Sequence, residues 1–412
     1  MYHRVNTHHA GVVDRMKAVV KSRYSVAMPA GLLAFASIPP VHDTSALRAE
    51  VRHFLAEALA AGRFTPTCDA WLSGHDPAFS RELGRRGWIG LNWPARYGGR
   101  DRPEIERYAI TEELLGAGAP VAAHWIAQRQ SGPLLLRFGT EEQRQRFLPA
   151  IARGECYFAI CMSEPEAGSD LAAVQTRARQ VEGGWSVTGR KVWTSHAHRS
   201  QYAILFCRTA PPSEDRHAGF SQFILDLAAP GVAVRPIRLL TGEAHFNEVT
   251  LDDVFIPDDL VVGEIGNGWA QVTSELGYER SGPERFMSPM PLLLAWLGSL
   301  GADPDAASAE LLGRLTARLW SLRQLSVAVT AGLQRGDDVA ISAALVKDLG
   351  TTLEQDMVDA LRIAIGGEPD PQSADRLEVL LAQAVASSPG FTLRGGTNEI
   401  LRGIVARALG VR

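Results

Sequence analysis

The sequence predicts an α+β multidomain chain in three parts: a helical N-terminal domain, a central antiparallel β-barrel domain and a C-terminal helical bundle. Three observations carry this. Apolar residues recur at helical spacing from residue 42 to 155, short β-rich segments between Gly, Pro and Asp turns fill 156–265, and helical periodicity returns over 266–412. At 412 residues the chain exceeds the roughly 250 to 300 at which a single core stops growing, so several domains sharing interfaces are expected.

Taken in order, "TSALRAEVRHFLAEALAAG" places Leu47, Val51, Phe54, Leu55 and Leu59 on one helical face. Thr140 and Gln143 have the spacing of a capping box, in which each side chain bonds the other's backbone amide, and Gly154 stands where that helix should stop. The segments "CYFAICMSEP", "WSVTGRKVWTS", "YAILFCRT", "FSQFILDL" and "VTLDDVFIP" read as strands. The long helical runs "AELLGRLTARLWSLRQLSVAVTAGL" and "VAISAALVKDLGTTLEQDMVDALRIAIGG" follow, with 302–309 and 368–373 expected as loops. In the last segment Thr397 reads as a helix N-cap ahead of Ile400, Leu401, Ile404, Val405 and Leu409. Residues 1–41 read as a tail. Arg15, Lys17, Lys21 and Arg23 precede an apolar run ending in Ala34-Phe35-Ala36, which resembles a signal-peptide site. The run is short and broken by Pro29 and Gly31, so a disordered tail or a start assigned too early, with Met28 as the true initiator, is the favoured reading.

Forty-two basic against 46 acidic residues give a net charge of −4 without a long cationic run, which argues against nucleic acid as the primary partner. Four cysteines without a Cys-x-x-Cys pair fit a reducing cytoplasm, and no stretch approaches the ~18 to 20 apolar residues of a membrane span. His196-x-His198 lacks an evident third metal ligand and reads as an exposed turn; no metal is expected. His124, Trp125 and Arg129 share a helix that either lines a pocket or packs there. "HDTS" and "HDPA" lack a nucleophile pattern, so a hydrolase triad finds no support.

Two loops carry polar chemistry. "CMSEPEAGSD", Cys161 to Asp170, sets a hydroxyl and a Gly-Ser turn at a strand end. "GRKVWTSHAH" sets Trp193 beside Thr194 and Ser195, an aromatic face with hydroxyls that suits a planar heterocycle. With "GLNWPARYGG", "RFGTEEQRQRFLPAIARGE", "FNEVTLDDVFIPDDLVVGEIGNGW" and "GGTNEILRGIVARALG", in that order and approximate spacing, the chain from about residue 42 resembles the acyl-CoA dehydrogenase family of flavoproteins.

The resemblance implies a four-helix-bundle C-terminal domain and FAD held extended between that bundle and the β domain. It places Cys161, Ser163, Gly168, Ser169, Trp193, Ser195, Gly396, Thr397 and Glu399 at the cofactor. Ser163 falls at the flavin's pyrimidine edge, Ser195 at its hydride-accepting nitrogen and Trp193 against the ring. Ser169 and Arg280 fall on the acyl-CoA, and the Gly395 amide on the thioester carbonyl. The reaction removes an α-proton and a β-hydride, and so needs one carboxylate base beside fixed donors that polarise the carbonyl. Most relatives carry that Glu directly before the Gly-Thr of the last motif, where this chain has Gly395.

A minority of the family places the base on an earlier bundle helix before an Arg, a place that Glu279 fills in "GYERSGPERF", with Arg280 as its electrostatic partner. Glu284-Arg285 repeats the pair five residues on and is the competing alignment; a solvated charged face is the competing structural reading. Apolar walls are expected around Glu279, and the missing side chain at 395 points to a bulky acyl group. The family's Gln-x-x-Gly-Gly segment, which meets a neighbour's FAD, appears here with Ile363 at the Gln place before Gly366 and Gly367. Hetero-oligomeric relatives acting on steroid-derived CoA esters show such losses. The expectation is thus FAD-dependent α,β-dehydrogenation of an acyl-CoA, with an electron-transfer flavoprotein as redox partner and a homo- or hetero-oligomeric assembly in the cytoplasm. A non-catalytic half-site subunit and a flavin oxidase or monooxygenase on the same fold are the alternatives.

Overall fold

The structure is a computed structural model that describes residues 42–410, apart from the side chains of 275–278. The expectations for residues 1–41 lie outside the described residues.

Helices Ser45–Ala60, Pro77–Arg85, Glu104–Gly116, Ala122–Ile126, Gly132–Phe138 and Glu141–Ala152 form the first layer. Val51, Phe54 and Leu55 turn inward as the periodicity requires, while Leu59 ends the helix half out in solvent. The capping box forms: Gln143 N donates to Thr140 Oγ1 at 3.2 Å and Thr140 N to Gln143 Oε1 at 3.1 Å. Between Ile126 and Gly132 the helix widens to a π turn, Ala127–Ser131, a local insertion that re-aims side chains and recurs at functional sites.

Eight strands follow: β1 Phe158–Cys161, β2 Arg177–Val181, β3 Gly184–Ser195, β4 Tyr202–Arg208, β5 Phe220–Asp226, β6 Val232–Ile237, β7 Phe246–Pro257 and β8 Val261–Val262. Their order is β6-β7-β3-β2-β4-β5-β8, with β1 added beside β4. The sheet is mixed rather than antiparallel throughout, because β1 pairs β4 in parallel and β2 meets β4 in parallel through Arg177 and Arg208. The centre of β4 and nearly all of β5 are buried on both faces, which is why they read as continuous apolar runs. β6 carries Pro236 and lies at one end of the order, where a missing N–H is tolerated.

Helices Gly268–Arg280, Met290–Ser299, Ala306–Arg335, Ala340–Ile365, Arg376–Ser387 and Asn398–Ala408 make up the remainder. The loop expected over 302–309 ends earlier, because Asp305 accepts from the amides of Ala307 and Ser308 and starts the helix at Ala306. Of the apolar face expected on the last helix, only Leu401 is fully buried; Ile400 and Leu409 are exposed. One core runs through all three parts, from Phe54 and Trp93 through Phe158 and Ile204 to Leu292, Met357 and Phe391. That continuity places the ends of the strands against the bundle.

Candidate active site

The first half of the site is built on the β domain. β3 shifts register against β7 between Lys191 and Thr194, and the irregularity holds Trp193 at φ +60° with 55% of its surface exposed. A bulky residue at positive φ is a strained conformation, and such strain concentrates where a side chain must be presented. Ser195 ends β3, partly exposed. Val192 N donates to Ser163 O at 2.9 Å, so the loop after β1 lies directly against this strand.

Its fastener is a buried ion pair. Lys191 is fully buried and donates to Met162 O at 2.9 Å and to Glu164 Oε1 at 2.8 Å, while Glu164 also accepts from the amides of Gln175 and Thr176. Burial alone would raise the Glu164 carboxyl, but Lys191 and the amides outweigh it and hold it below its ordinary range. Of the expected cofactor residues here, Ser163 is partly exposed, and Gly168 and Ser169 are exposed on the open loop. Cys161 is different: its side chain is fully buried, burial pushes the thiol up to about 11, and its sulfur accepts from Thr194 Oγ1 at 3.8 Å. It belongs to the scaffold, because the inward phase of β1 points it into the core.

The second half is the turn between Phe391 and Asn398. Gly395 and Gly396 both have positive φ, +68° and +89°. Arg280 Nε donates to Gly395 O at 3.0 Å. A side chain at 395 would put its Cβ 2.8 Å from Arg285 Nη2, so the end of a guanidinium occupies the space vacated there. That same Nη2 lies 3.3 Å from Glu279 Oε1, and Arg285 Nε donates to Glu279 O at 2.9 Å. At ion-pair distance Glu279 meets Arg285, because the helix ends at Arg280 and the chain doubles back through the 3-10 turn Pro283–Arg285, while the adjacent Arg280 is favoured by the charge of Glu279 without a direct ion pair. A guanidinium, rather than apolar walls, faces Glu279.

Glu284 has a different environment. It is 2% exposed and paired with Arg129 from the π turn, while its second oxygen is buried without a hydrogen-bond partner in the space a Cβ on Gly282 would take. Beneath the turn, Lys347 is fully buried and donates to Thr392 O at 2.8 Å and Asn398 Oδ1 at 2.7 Å; burial, helped by Arg285 and Arg394, pushes its amine down to about 7. Thr397 occupies the N-cap position of the last helix without a side-chain cap bond, and Glu399 projects outward in the first turn.

The two halves meet through a segment that sequence reasoning missed. Asp69 pairs with Arg394 at 2.7 Å, the Trp71 ring lies 4.4 Å from the Arg394 guanidinium carbon and 5.4 Å from that of Arg285, and Leu72 O is 2.7 Å from His196 Nε2. One short helix, Ala70–Ser73, thus touches both the residue after Ser195 and the cations around Gly395. No local pattern marked it. His196 is correspondingly buried, not in an exposed turn, its ring 5.1 Å from that of His75 and 6.0 Å from that of His245. Among the described residues no cluster fits a metal ion. His124 and Trp125 are packing residues, bonded to Ser80 and set against Trp71 respectively.

The acyl-CoA dehydrogenase N-terminal domain model matches residues 42–155 and the acyl-CoA dehydrogenase middle domain model matches 159–254. The chain belongs to the acyl-CoA dehydrogenase family. Acyl-CoA dehydrogenase FadE29 of Mycobacterium tuberculosis is 34% identical over 377 residues, covering 87% of this chain and 94% of its own. Acyl-CoA dehydrogenase IpdE1 of the same organism is 34% identical over 387 residues, covering 90% and 98%. The match to its acyl-CoA dehydrogenase FadE34, also 34% identical, spans 79% of this chain but only 45% of that longer protein. Among solved structures, the Tcur3481-Tcur3483 steroid ACAD superimposes with a TM-score of 0.79 at 28% identity, over 92% of this chain and 100% of the other. The ChsE4-ChsE5 complex from Mycobacterium tuberculosis does so with 0.76 at 27%, over 92% and 100%. This member of the family is accordingly an oxidoreductase of acyl-CoA chemistry in a flavoprotein family, and no helix among the described residues is long and apolar enough to cross a membrane.

Proposed function

We propose that this acyl-CoA dehydrogenase performs α,β-dehydrogenation of an acyl-CoA thioester with Glu279 as the α-proton base. The observation that supports it is the single nitrogen Arg285 Nη2, which touches both Glu279 Oε1 and the side-chain position of residue 395. A carboxylate from the earlier helix thus reaches the neighbourhood of the turn where relatives place theirs. Glu284 is the weaker candidate, since its carboxylate is sealed from solvent and paired with Arg129.

The exposed Trp193 face, with Ser163 and Ser195 at adjoining strand ends and the open Gly168–Ser169 loop, fits FAD. Bound there, FAD supplies the acceptor for the β-hydride. Gly396, Thr397 and Glu399 would border it from the bundle. Glu279 receives the α-proton on its carboxylate; the Gly395 amide donates to the thioester carbonyl; Arg280, which donates to Gly395 O, steadies the turn that carries that amide; Ser169 borders the CoA moiety. An electron-transfer flavoprotein is the redox partner of this reading.

The assembly reading is a hetero-oligomer with a homologous subunit. Ile363, at the place of the cofactor-contacting Gln, is 82% exposed on the surface of helix Ala340–Ile365, so this chain offers an apolar side chain where relatives reach a partner's cofactor. The two structural relatives named above are described as paired gene products, one of them a steroid ACAD, and steroid-derived acyl groups are the substrate class to test first.

The test uses the protein purified alone and co-expressed with a homologous partner, mixed anaerobically with butyryl-, octanoyl-, 2-methyl-branched and steroid-side-chain CoA esters while flavin absorbance is followed. Bleaching by at least one ester, lost in Glu279→Gln and kept in Glu284→Gln, is expected. The reverse pattern transfers the role to Glu284, and a protein that stays colourless with and without the partner removes the enzyme reading.

A further inference from the structure

We infer that Arg285 is the positioning residue for Glu279 and holds it from the space that a side chain at 395 would otherwise fill. The role rests on the reading of Glu279 as the base, but its geometry does not. Arg285 is 3% exposed and grips its target twice, through Nε on the main-chain oxygen of Glu279 and through Nη2 beside the carboxylate. Two contacts from one planar fork fix both where the last helical residues lie and which way the side chain turns; a lysine ammonium lacks that fork.

The guanidinium is itself held on several sides. Trp71 lies across it at 5.4 Å, and the Cβ position of Gly395 is 2.8 Å from Nη2. Its own backbone is pinned by Arg285 N donating to Gly282 O at 3.1 Å, and by Gly350, whose hydrogen lies where a Cβ would meet Arg285 O at 2.4 Å. Among the described residues Arg285 is the one cation within ion-pair distance of Glu279. Gly395 and Arg285 therefore form one unit. Glycine at 395 is favoured by its φ of +68° and leaves room for the guanidinium, which in turn orients a carboxylate that comes from another element.

This couples three positions in a testable way. Arg285→Gln keeps a polar side chain but not the fork. Its limiting rate of flavin bleaching, with the CoA ester that reacts fastest in the panel above, should fall about 10- to 100-fold, the loss typical of a misplaced reacting group. The half-saturating ester concentration should change less than about threefold, and Arg285→Lys should recover part of the rate, because charge returns without the second contact. A purely structural role would lower the yellow fraction and leave the rate of that fraction alone.

A second measurement needs no turnover. In thermal unfolding, the shift of Glu279→Gln/Arg285→Gln should be smaller than the two single shifts combined. Gly395→Ala should cost less in an Arg285→Ala background than in the native chain. Additivity in either cycle, or a native limiting rate in Arg285→Gln, overturns the proposal. Bleaching retained in Glu279→Gln sinks the base assignment instead, and with coupled cycles leaves Arg285 as the holder of Glu279 without a catalytic consequence.

Discussion

His124 gives a sharp test of how the N-terminal layer is held. Its ring is 2% exposed, its Nδ1 lies 2.8 Å from Ser80 Oγ, and burial pushes its pKa from 6.5 down to about 3. As pH falls through 6.5 the unfolded chain takes up a proton at this residue that the folded chain refuses until near its own lower value. Stability from this group is therefore full above about pH 6.5 and is lost on acidification, with a slope approaching 1.36 kcal/mol per pH unit for about one proton.

Other groups share that window. His196, down to about 3, and His75, down to about 4, act in the same direction, while Glu354, raised to about 7, binds its proton early in the folded state and acts in the opposite one. The total slope is thus a composite, and a difference is needed. His124→Asn keeps a hydrogen-bonding atom near the Nδ1 position without a titrating ring. Urea unfolding of both proteins at pH 6.0 and 4.5, spanning about 1.5 units, should show the native protein losing about 2 kcal/mol more than the variant. Parallel losses would refute the reasoning, because they would mean that the buried ring accepts its proton as easily in the fold as in the open chain.

Three further outcomes follow from the site. Lys191→Met leaves the Glu164 carboxylate buried without its cation, which should cost about 3–5 kcal/mol in chemical denaturation and lower the flavin retained on purification. Glu284→Gln takes one carboxylate from buried Arg129, which still feels Glu104; a loss of about 1–3 kcal/mol is expected, against less than about 1 kcal/mol for the partly exposed Glu279→Gln. Lys347→Met removes the donor shared by Thr392 O and Asn398 Oδ1, so tryptic cleavage after Arg394 should accelerate several-fold, and an unchanged digestion rate would show that the turn holds without it.

The order of layers was legible because each rests on local periodicity: Val51, Phe54 and Leu55 at helical spacing, the doubly buried runs of β4 and β5, and the Thr140–Gln143 box, whose two bonds form within one turn. The last helix was over-read, since an apolar residue such as Ile400 satisfies the period whether or not anything covers it. Cys161 was misplaced for a related reason: a motif names a stretch, while strand phase decides which of its side chains face inward. The parallel pairing of β1 with β4 was invisible too, because a short apolar strand carries no mark of its partner.

By itself the sequence determined which chemistry was available: a turn without a carboxylate at Gly395, two Glu-Arg pairs a few residues apart, and an aromatic beside hydroxyls. Tertiary structure alone decided how these combine. Glu279 and Glu284 are nearly indistinguishable in the chain, yet one lies partly open beside Arg285 and the other is sealed against Arg129, more than 150 residues away. Asp69 and Leu72 join the two halves across 325 and 124 residues of sequence respectively. The physical reason is that desolvation and ion pairing depend on what the fold packs around a group, and those neighbours arrive from elements whose separation along the chain leaves no local trace.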